Sequence, residues 1–279
     1  MFDPRVNVNI VVALMAEAKP FVERLTLSLD AKHAVFKLYT APGVNLIVSG
    51  MGRNNAAAAT AYLGARTAEM QAVSVWINAG IAGHSSLSIG DLVIAHKILE
   101  KSTGRNFYPQ VYPVSLTSTL LTTVDQPETD YLDESAFDME ASGFAAVASK
   151  FSPLECIQSV KVISDNAQSG VEVVSVQSIE GAMQENAKAV IKLVEVMLPS
   201  AIHRVSQTQL ADAFQSMLAR ARFSATQVAQ LKRLCQRYSA LGLEQRLTEI
   251  AAMEIESSKK IIQHLDAQLL LCLDPAQDL

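Results

Sequence analysis

The chain alternates between short apolar runs and amphipathic stretches over its first two hundred residues. Val6 to Leu14 is a β-branched apolar run and predicts a buried strand. Met15 to Leu29 follows with Phe21, Leu25 and Leu29 spaced by four, which predicts a helix. His33 to Tyr39 and Val44 to Ser49 predict two strands around the turn Ala41-Pro42-Gly43. Asn54 to Glu69 is Ala-rich and helical, and Val73 to Asn78 is a further buried strand. Asp91 to Ile98 predicts a strand, Ser135 to Lys150 a helix, Cys156 to Ile163 a strand, and Ser178 to Met197 a helix ending near Pro199. Strands alternating with helices predict an α/β domain with a largely parallel sheet, whose ligands gather at the carboxyl ends of the strands.

The pattern changes after His203. Segments 207–222, 225–240 and 244–272 carry helical spacing and no strand signal. Ala251, Ile255, Ser258, Ile262, Leu265 and Leu269 step by four and three, the spacing of a coiled-coil seam. The expected organisation is therefore an α/β domain over 1–203 and a helical extension over 204–279. The extension holds nine Lys/Arg and eight Asp/Glu. It reads as a packing or association element rather than a nucleic-acid arm.

Composition narrows the function classes. Apolar residues make up 49% and charged residues 18%, enough for a sizeable core. A net charge of -5 argues against a general phosphate-backbone binder, so no nucleic-acid partner is expected. No run of about 20 apolar residues predicts a membrane helix, and the Met1-Phe2-Asp3-Pro4-Arg5 start is unlike a signal peptide. Cys156, Cys235 and Cys272 are widely spaced and suggest neither zinc nor disulfides, which points to a reducing cytoplasm. No metal and no cofactor are expected.

Several clusters after predicted strands could carry chemistry. Gly50-Met51-Gly52-Arg53 lies between a strand and a helix, where backbone N–H groups can approach an anion or a sugar; it is equally a tight turn. Asn78-Ala79-Gly80-Ile81-Ala82-Gly83 allows close ligand approach or only a bend. Asp138-Met139-Glu140 offers a carboxylate for a vicinal diol beside an adaptable Met, or acids that favour a helix start. Ser164-Asp165-Asn166 ends a strand, so Asp165 is a general acid or a cap. Glu17 stands just past the first strand and could activate water. Phe107, Tyr108, Tyr112 and Tyr131 fall in loop-like stretches and could line a pocket.

In order along the chain, six segments resemble motifs of the nucleoside phosphorylase/nucleosidase superfamily. They are Ala13-Leu14-Met15-Ala16-Glu17-Ala18, Ser49-Gly50-Met51-Gly52-Arg53-Asn54-Asn55-Ala56, Ile77-Asn78-Ala79-Gly80-Ile81-Ala82-Gly83, Ile89-Gly90-Asp91-Leu92-Val93-Ile94, Asp138-Met139-Glu140-Ala141 and Ile163-Ser164-Asp165-Asn166-Ala167. The style is that of the methylthioadenosine/S-adenosylhomocysteine nucleosidase and futalosine hydrolase branch, and the likeness covers about residues 6–200. The resemblance implies a three-layer α/β fold with a central mixed, largely parallel sheet, carrying here a helical extension. It implies cleavage of the N-glycosidic bond of a purine-nucleoside-like molecule by a homodimer or larger homo-oligomer. Asp165 would protonate the base, Met139 and Glu140 would hold the ribose, and Ile81, Ala82, Gly83, Ser164 and Asn166 would surround the base. Gly50, Gly52 and Arg53 would form an anion or sugar site.

The departures bear on the nucleophile. Phosphorylases of the superfamily place an Arg and a Ser where this chain has Asn78 and Ile81, which favours water over phosphate. The nucleosidases usually place a Glu where this chain has Ala18, leaving Glu17 as the nearby acid. The loop Val124 to Tyr131 is acidic and lacks a Phe to stack on adenine. Two other readings stay open: a phosphorylase using Arg53 or Arg105, and a non-catalytic nucleoside-binding or partner-binding protein.

Overall fold

The computed structural model describes residues 2–3, 6–31, 35–68, 73–170, 174–255 and 257–273. The expected strand start at His33, the helix end at Glu69 and the side chain of Cys272 lie outside them. The chain divides into two compact units, Met1–Ile202 and His203–Leu279.

The first unit is built on a ten-stranded mixed sheet. Its strands are β1 (Val6–Val12), β2 (Ser28–Leu29), β3 (Lys37–Ala41), β4 (Val44–Val48), β5 (Val73–His84), β6 (Leu92–Glu100), β7 (Arg105–Phe107), β8 (Thr117–Thr123), β9 (Ala136–Asp138) and β10 (Ile157–Asn166). β1 lies between β4 and β5, parallel to both. β5 also pairs in parallel with β10 and antiparallel with β9 at its far end. Because β10, β6, β8 and β9 are paired in succession, the sheet closes on itself through β5. Closure brings the carboxyl ends of β5, β8 and β10 and the whole of β9 round one opening.

Helices α1 (Met15–Arg24), α2 (Arg53–Ala68), α3 (Ala141–Ala148) and the first part of α4 (Val176–Arg220) cover the sheet. α2 and α3 give Ala56, Ala59, Leu63, Ala141, Phe144, Ala145 and Ala148 to one core with Val11, Trp76, Ala82 and Ile163 of the strands. The small side chains let these helices approach closely. A Cβ on Gly143 would overlap the Arg53 carbonyl, so α3 needs glycine there to lie against the start of α2. α1 and α4 bury Phe21, Met183, Ala187 and Val190 outside that cluster.

Three sequence expectations are corrected. The stretch from Ser135 is not helical throughout: 136–138 is strand β9, and α3 starts at Ala141. Phe137 and Asp138 are drawn into the sheet by pairing with Gly83 and Thr123, a long-range contact that helical spacing does not encode. α4 does not stop near Pro199 but runs on to Arg220. Met197, Leu198, Ala201 and Val205 are buried on either side of the proline, and this packing offsets the lost hydrogen bond. The 244–272 segment is two helices, α6 (Glu244–Ala252) and α7 (Ser258–Leu273), broken after Met253.

The second unit packs the end of α4, α5 (Ala225–Ala240), α6 and α7 round a core of its own. Ala251, Ile262, Leu265 and Leu269 all turn into that core against Leu231, Leu234 and Tyr238. The expected seam is thus consumed within the chain. Ser224 caps α5, accepting from the Gln227 N–H while its own N–H donates to the Gln227 side chain. The buried Tyr238 hydroxyl donates to the Leu265 carbonyl at 2.9 Å. Leu265→Ala removes a fully buried side chain and is expected to cost this unit about 2–5 kcal/mol, read by urea denaturation. A variant as stable as the parent would show that the helices do not close on this core. Among the described residues no helix is long and apolar enough to cross a membrane.

Candidate active site

A cavity of about 270 Å³ opens at the carboxyl ends of the strands. Its lining includes Glu17, Ile81, Ala82, Gly83, Met139, Glu140, Ser164 and Asp165. Residues from five of the six ordered motifs therefore meet in one place, Met51 representing the first glycine turn.

Glu17 enters the cavity from the first turn of α1. Its Oε2 accepts from the Ala13 and Leu14 N–H groups at 2.7 and 2.8 Å, and its Oε1 from the Ile81 N–H at 3.1 Å. The carboxylate thus folds back over the helix start, where free N–H groups and the helix dipole favour negative charge. Ala18 is fully buried in the core instead. Glu17 is the acid that the first turn of α1 brings to the cavity. Gly80 is needed beneath it: a Cβ there would lie 2.6 Å from Glu17 Oε1.

Glu140 stands at the start of α3. Its Oε1 accepts from the Gly52 N–H at 2.7 Å, so the first glycine turn serves Glu140 directly. Gly52 has φ +97°, a conformation that favours glycine and aims this N–H at the carboxylate. Arg53 does not line the cavity. Its guanidinium is paired with Glu100 and with Asp125, the latter at 2.9 Å. The anion site expected at Gly50, Gly52 and Arg53 is therefore committed to the protein's own carboxylates. Arg105 lies over the Phe107 ring, outside the cavity lining.

Lys161 of β10 is the site residue that sequence reasoning passed over. It is 2% exposed and pairs with Asp138 Oδ2 at 2.9 Å, with Glu140 Oε2 at 4.0 Å. Asp138 also accepts from the Thr123 hydroxyl and the Ala141 N–H, both at 2.8 Å, and so ties β8 to the start of α3. The signal was a single Lys in the otherwise uncharged strand Ile157 to Ser164, four residues before Asp165. A charge that deep is kept only when paired.

One buried ammonium faces three carboxylates, and their protonation follows from that imbalance. Burial disfavours the Lys161 ammonium, but Asp138, Glu140 and Glu17 outweigh this and hold its pKa above the ordinary value. Burial raises Glu17 above the usual carboxylate range, against Lys161 and three backbone N–H groups that pull the other way. Burial also raises Glu140, to about 7, with Asp138 and Glu17 adding to the rise and Lys161 and the Gly52 N–H opposing it.

Asp165 also lines the cavity, at the bulge where β10 slips register against Gly83. Its Oδ1 meets the Ser164 hydroxyl and its Oδ2 the Tyr131 hydroxyl. A Cβ on Gly83 would come within 2.5 Å of Asp165 Oδ2, so glycine there makes room for the acid. Asn166 is not a lining residue. Its amide donates to the Leu87 carbonyl, and its Oδ1 accepts from Gln168 and Ser169, so it holds the turn behind the site. The remaining wall is mainly apolar: Val124, Pro127, Phe137, Val174 and Ile179, with Glu128 among them. Val174 and Ile179 were not foreseen. Among the described residues no three His, Cys, Asp or Glu side chains form a metal-binding group.

The fold places the chain in a class of mixed α/β folds represented by solved nucleosidase structures. The solved structures it is similar to are particular ones. The apo 5'-methylthioadenosine nucleosidase of Arabidopsis thaliana superposes with a TM-score of 0.57 at 20% identity, over 68% of this chain and 96% of that one. The 5'-methylthioadenosine/S-adenosylhomocysteine nucleosidase of Neisseria meningitidis, in complex with methylthio-immucillin-A, gives 0.57 at 19%, over 68% and 98%. That of Colwellia psychrerythraea 34H, in complex with adenine, gives 0.53 at 21%, over 70% and 95%. No protein-family model and no curated protein matches the chain.

Proposed function

We propose that the chain is a nucleosidase-type hydrolase that cleaves the N-glycosidic bond of a purine-nucleoside-like small molecule. The observation that carries this reading is the cavity lined together by Asp165, Glu17 and Glu140, with the buried Lys161 4.0 Å from Glu140. In the reaction, Asp165 gives its proton to the leaving base nitrogen as the glycosidic C–N bond breaks. Glu140 accepts hydrogen bonds from the ribose hydroxyls and, as an anion, favours the oxocarbenium-like sugar, while Met139 packs against the ring. Water adds to the anomeric carbon and yields its proton to Glu17. Desolvation makes Glu17 a stronger base than a surface carboxylate, and Lys161 favours its ionised form.

Water rather than phosphate is the nucleophile in this reading. Arg53 is spent on Glu100 and Asp125, and Asn78 is buried with its amide on the Val11 carbonyl. Release of base from a panel of purine nucleosides and 5'-thio analogues is expected to proceed equally with and without phosphate. Strict phosphate dependence would select a phosphorylase instead, and no release from any member would remove the enzymatic reading. The neighbours of the fold solved with adenine or with methylthio-immucillin-A make purines the first choice for the panel. A homodimer or larger assembly belongs to the same proposal and is checked by light scattering.

The pH profile gives a separate test. Glu140 holds the ribose as an anion, and it titrates near 7 within its cluster. kcat/KM is expected to fall about tenfold per pH unit below about 7, because the free enzyme then carries a neutral Glu140. The Glu140→Gln variant should lose activity and lose that limb of the profile. A profile flat from pH 8 to 5 would overturn the assignment.

A further inference from the structure

Tyr131 contacts Asp165, the residue that the proposed reaction assigns to the leaving base. It lies in the connection between β8 and β9, and its hydroxyl meets Asp165 Oδ2. The side chain is nearly buried, with its ring edge against Phe137 at 6.1 Å between centroids and Val124 and Met139 in the same apolar cluster. Gly83 leaves the space for it: a Cβ there would stand 2.8 Å from the Tyr131 ring and 2.9 Å from its hydroxyl. Tyr131 is also held at φ +45°, a left-handed conformation that a bulky L residue adopts only when its surroundings fix it.

The contacts made by this connection are of two kinds. Val124 and Tyr131 are buried in it, whereas Leu132 is 89% exposed. The Val124 N–H donates to the Asp138 carbonyl at 2.8 Å, and the ties nearer the surface are ionic or polar: Asp125 to Arg53, Glu128 to Lys101 at 2.8 Å, and Glu134 to the Ser86 hydroxyl at 2.8 Å. Surface ties of this sort are individually weak and screened by salt. The Tyr131–Asp165 contact is the buried polar one that the connection makes with the acid.

Both carboxyl oxygens of Asp165 are engaged by the protein in this arrangement. One of its oxygens meets the Ser164 hydroxyl and the other the Tyr131 hydroxyl. Each carboxyl oxygen is already met by a protein hydroxyl, so a base nitrogen has to compete for its place on the acid. We propose that Tyr131 is a ligand-displaced latch: its hydroxyl stands in for the leaving base on Asp165 in the resting enzyme, and a substrate gains the acid only by moving Tyr131 out. The substrate class follows from that competition and rests on the nucleosidase reading. The base must carry a ring nitrogen able to accept from the acid, within a planar ring system that can replace the phenol between Gly83 and Phe137, as a purine does. The backbone strain at Tyr131 helps the exchange, since leaving the site relaxes it.

The latch and the nucleosidase reading are separated by an experiment on the full chain. Hydrogen exchange of the segment 124–135 is measured in the wild type, Tyr131→Phe and Asp165→Ala. Each substitution is expected to speed exchange there about tenfold, the ratio for one lost hydrogen bond to a charged group, and the double variant to be no faster than either single one. Binding of free adenine and hypoxanthine is then measured by calorimetry. Tyr131→Phe keeps the ring and the core, and should bind the base about tenfold more tightly because the competing hydroxyl is gone. Unchanged exchange in Tyr131→Phe, or weaker base binding than in the wild type, would overturn the latch. Faster exchange with no base bound by either protein would support the latch and count against the purine reading alone.

Discussion

Asp165→Asn is expected to lower base release about 10²–10⁴-fold while leaving thermal stability close to that of the parent. The amide has the shape of the carboxyl and can still accept from one of the Ser164 and Tyr131 hydroxyls that meet it here, while its NH2 group donates to the oxygen of the other. Gly83 leaves room for either side chain. What the amide cannot do is give up a proton to a departing ring nitrogen. The loss should fall on kcat, because the ribose is held by Glu140 and Met139. Nucleosides with a poor leaving base should suffer most, and those whose base departs without protonation least. Rates of base release, with a melting curve as control, decide it. A variant that turns over like the wild type would remove Asp165 from the chemistry. One that unfolds would show the acid to be a structural support of the β10 bulge.

The location of this site was legible in the sequence because its parts are local. The glycine turns, Glu17 and Asp165 lie close after apolar runs, and strand ends in an α/β sheet face a common opening. Locally each acid was also an ordinary helix-start or capping residue, and the ordered resemblance of the motifs is what named Glu17, Glu140 and Asp165 as candidates. The partners that set their charge were not legible, because sheet register brings them together. Lys161 meets Asp138 because β10 and β9 each pair with β5. Nothing along the chain links positions 138 and 161 except a charge in a strand that should have none. Arg53 failed as an anion site for the same reason: Glu100 and Asp125 lie 47 and 72 residues away in sequence. In the helical unit the spacing of Ala251 to Leu269 was real, but spacing does not say whose core it fills. The break after Met253 let both halves fold onto α5, where a continuous helix would have presented one stripe outward.

The buried cluster makes Lys161→Met the most damaging single change for stability. Methionine matches the length of the lysine stem but leaves Asp138, Glu140 and Glu17 without their shared positive charge. Removing one partner of a buried ion pair costs about 3–5 kcal/mol, since the charge left behind is desolvated and unpaired. The loss has a defined pH dependence. Without the ammonium, the folded-state pKa values of Glu17 and Glu140, already raised by burial, rise further, so the folded variant binds more protons than the unfolded chain. Its stability must therefore increase as pH falls through that window, by linkage. Urea denaturation is expected to show the full deficit at pH 8 and a smaller one at pH 5. Equal stability of variant and parent at pH 8 would mean that the carboxylates are already neutral beside Lys161. Glu17 could not then serve as the base for water, and the nucleophile side of the proposed reaction would have to be sought elsewhere in the cavity.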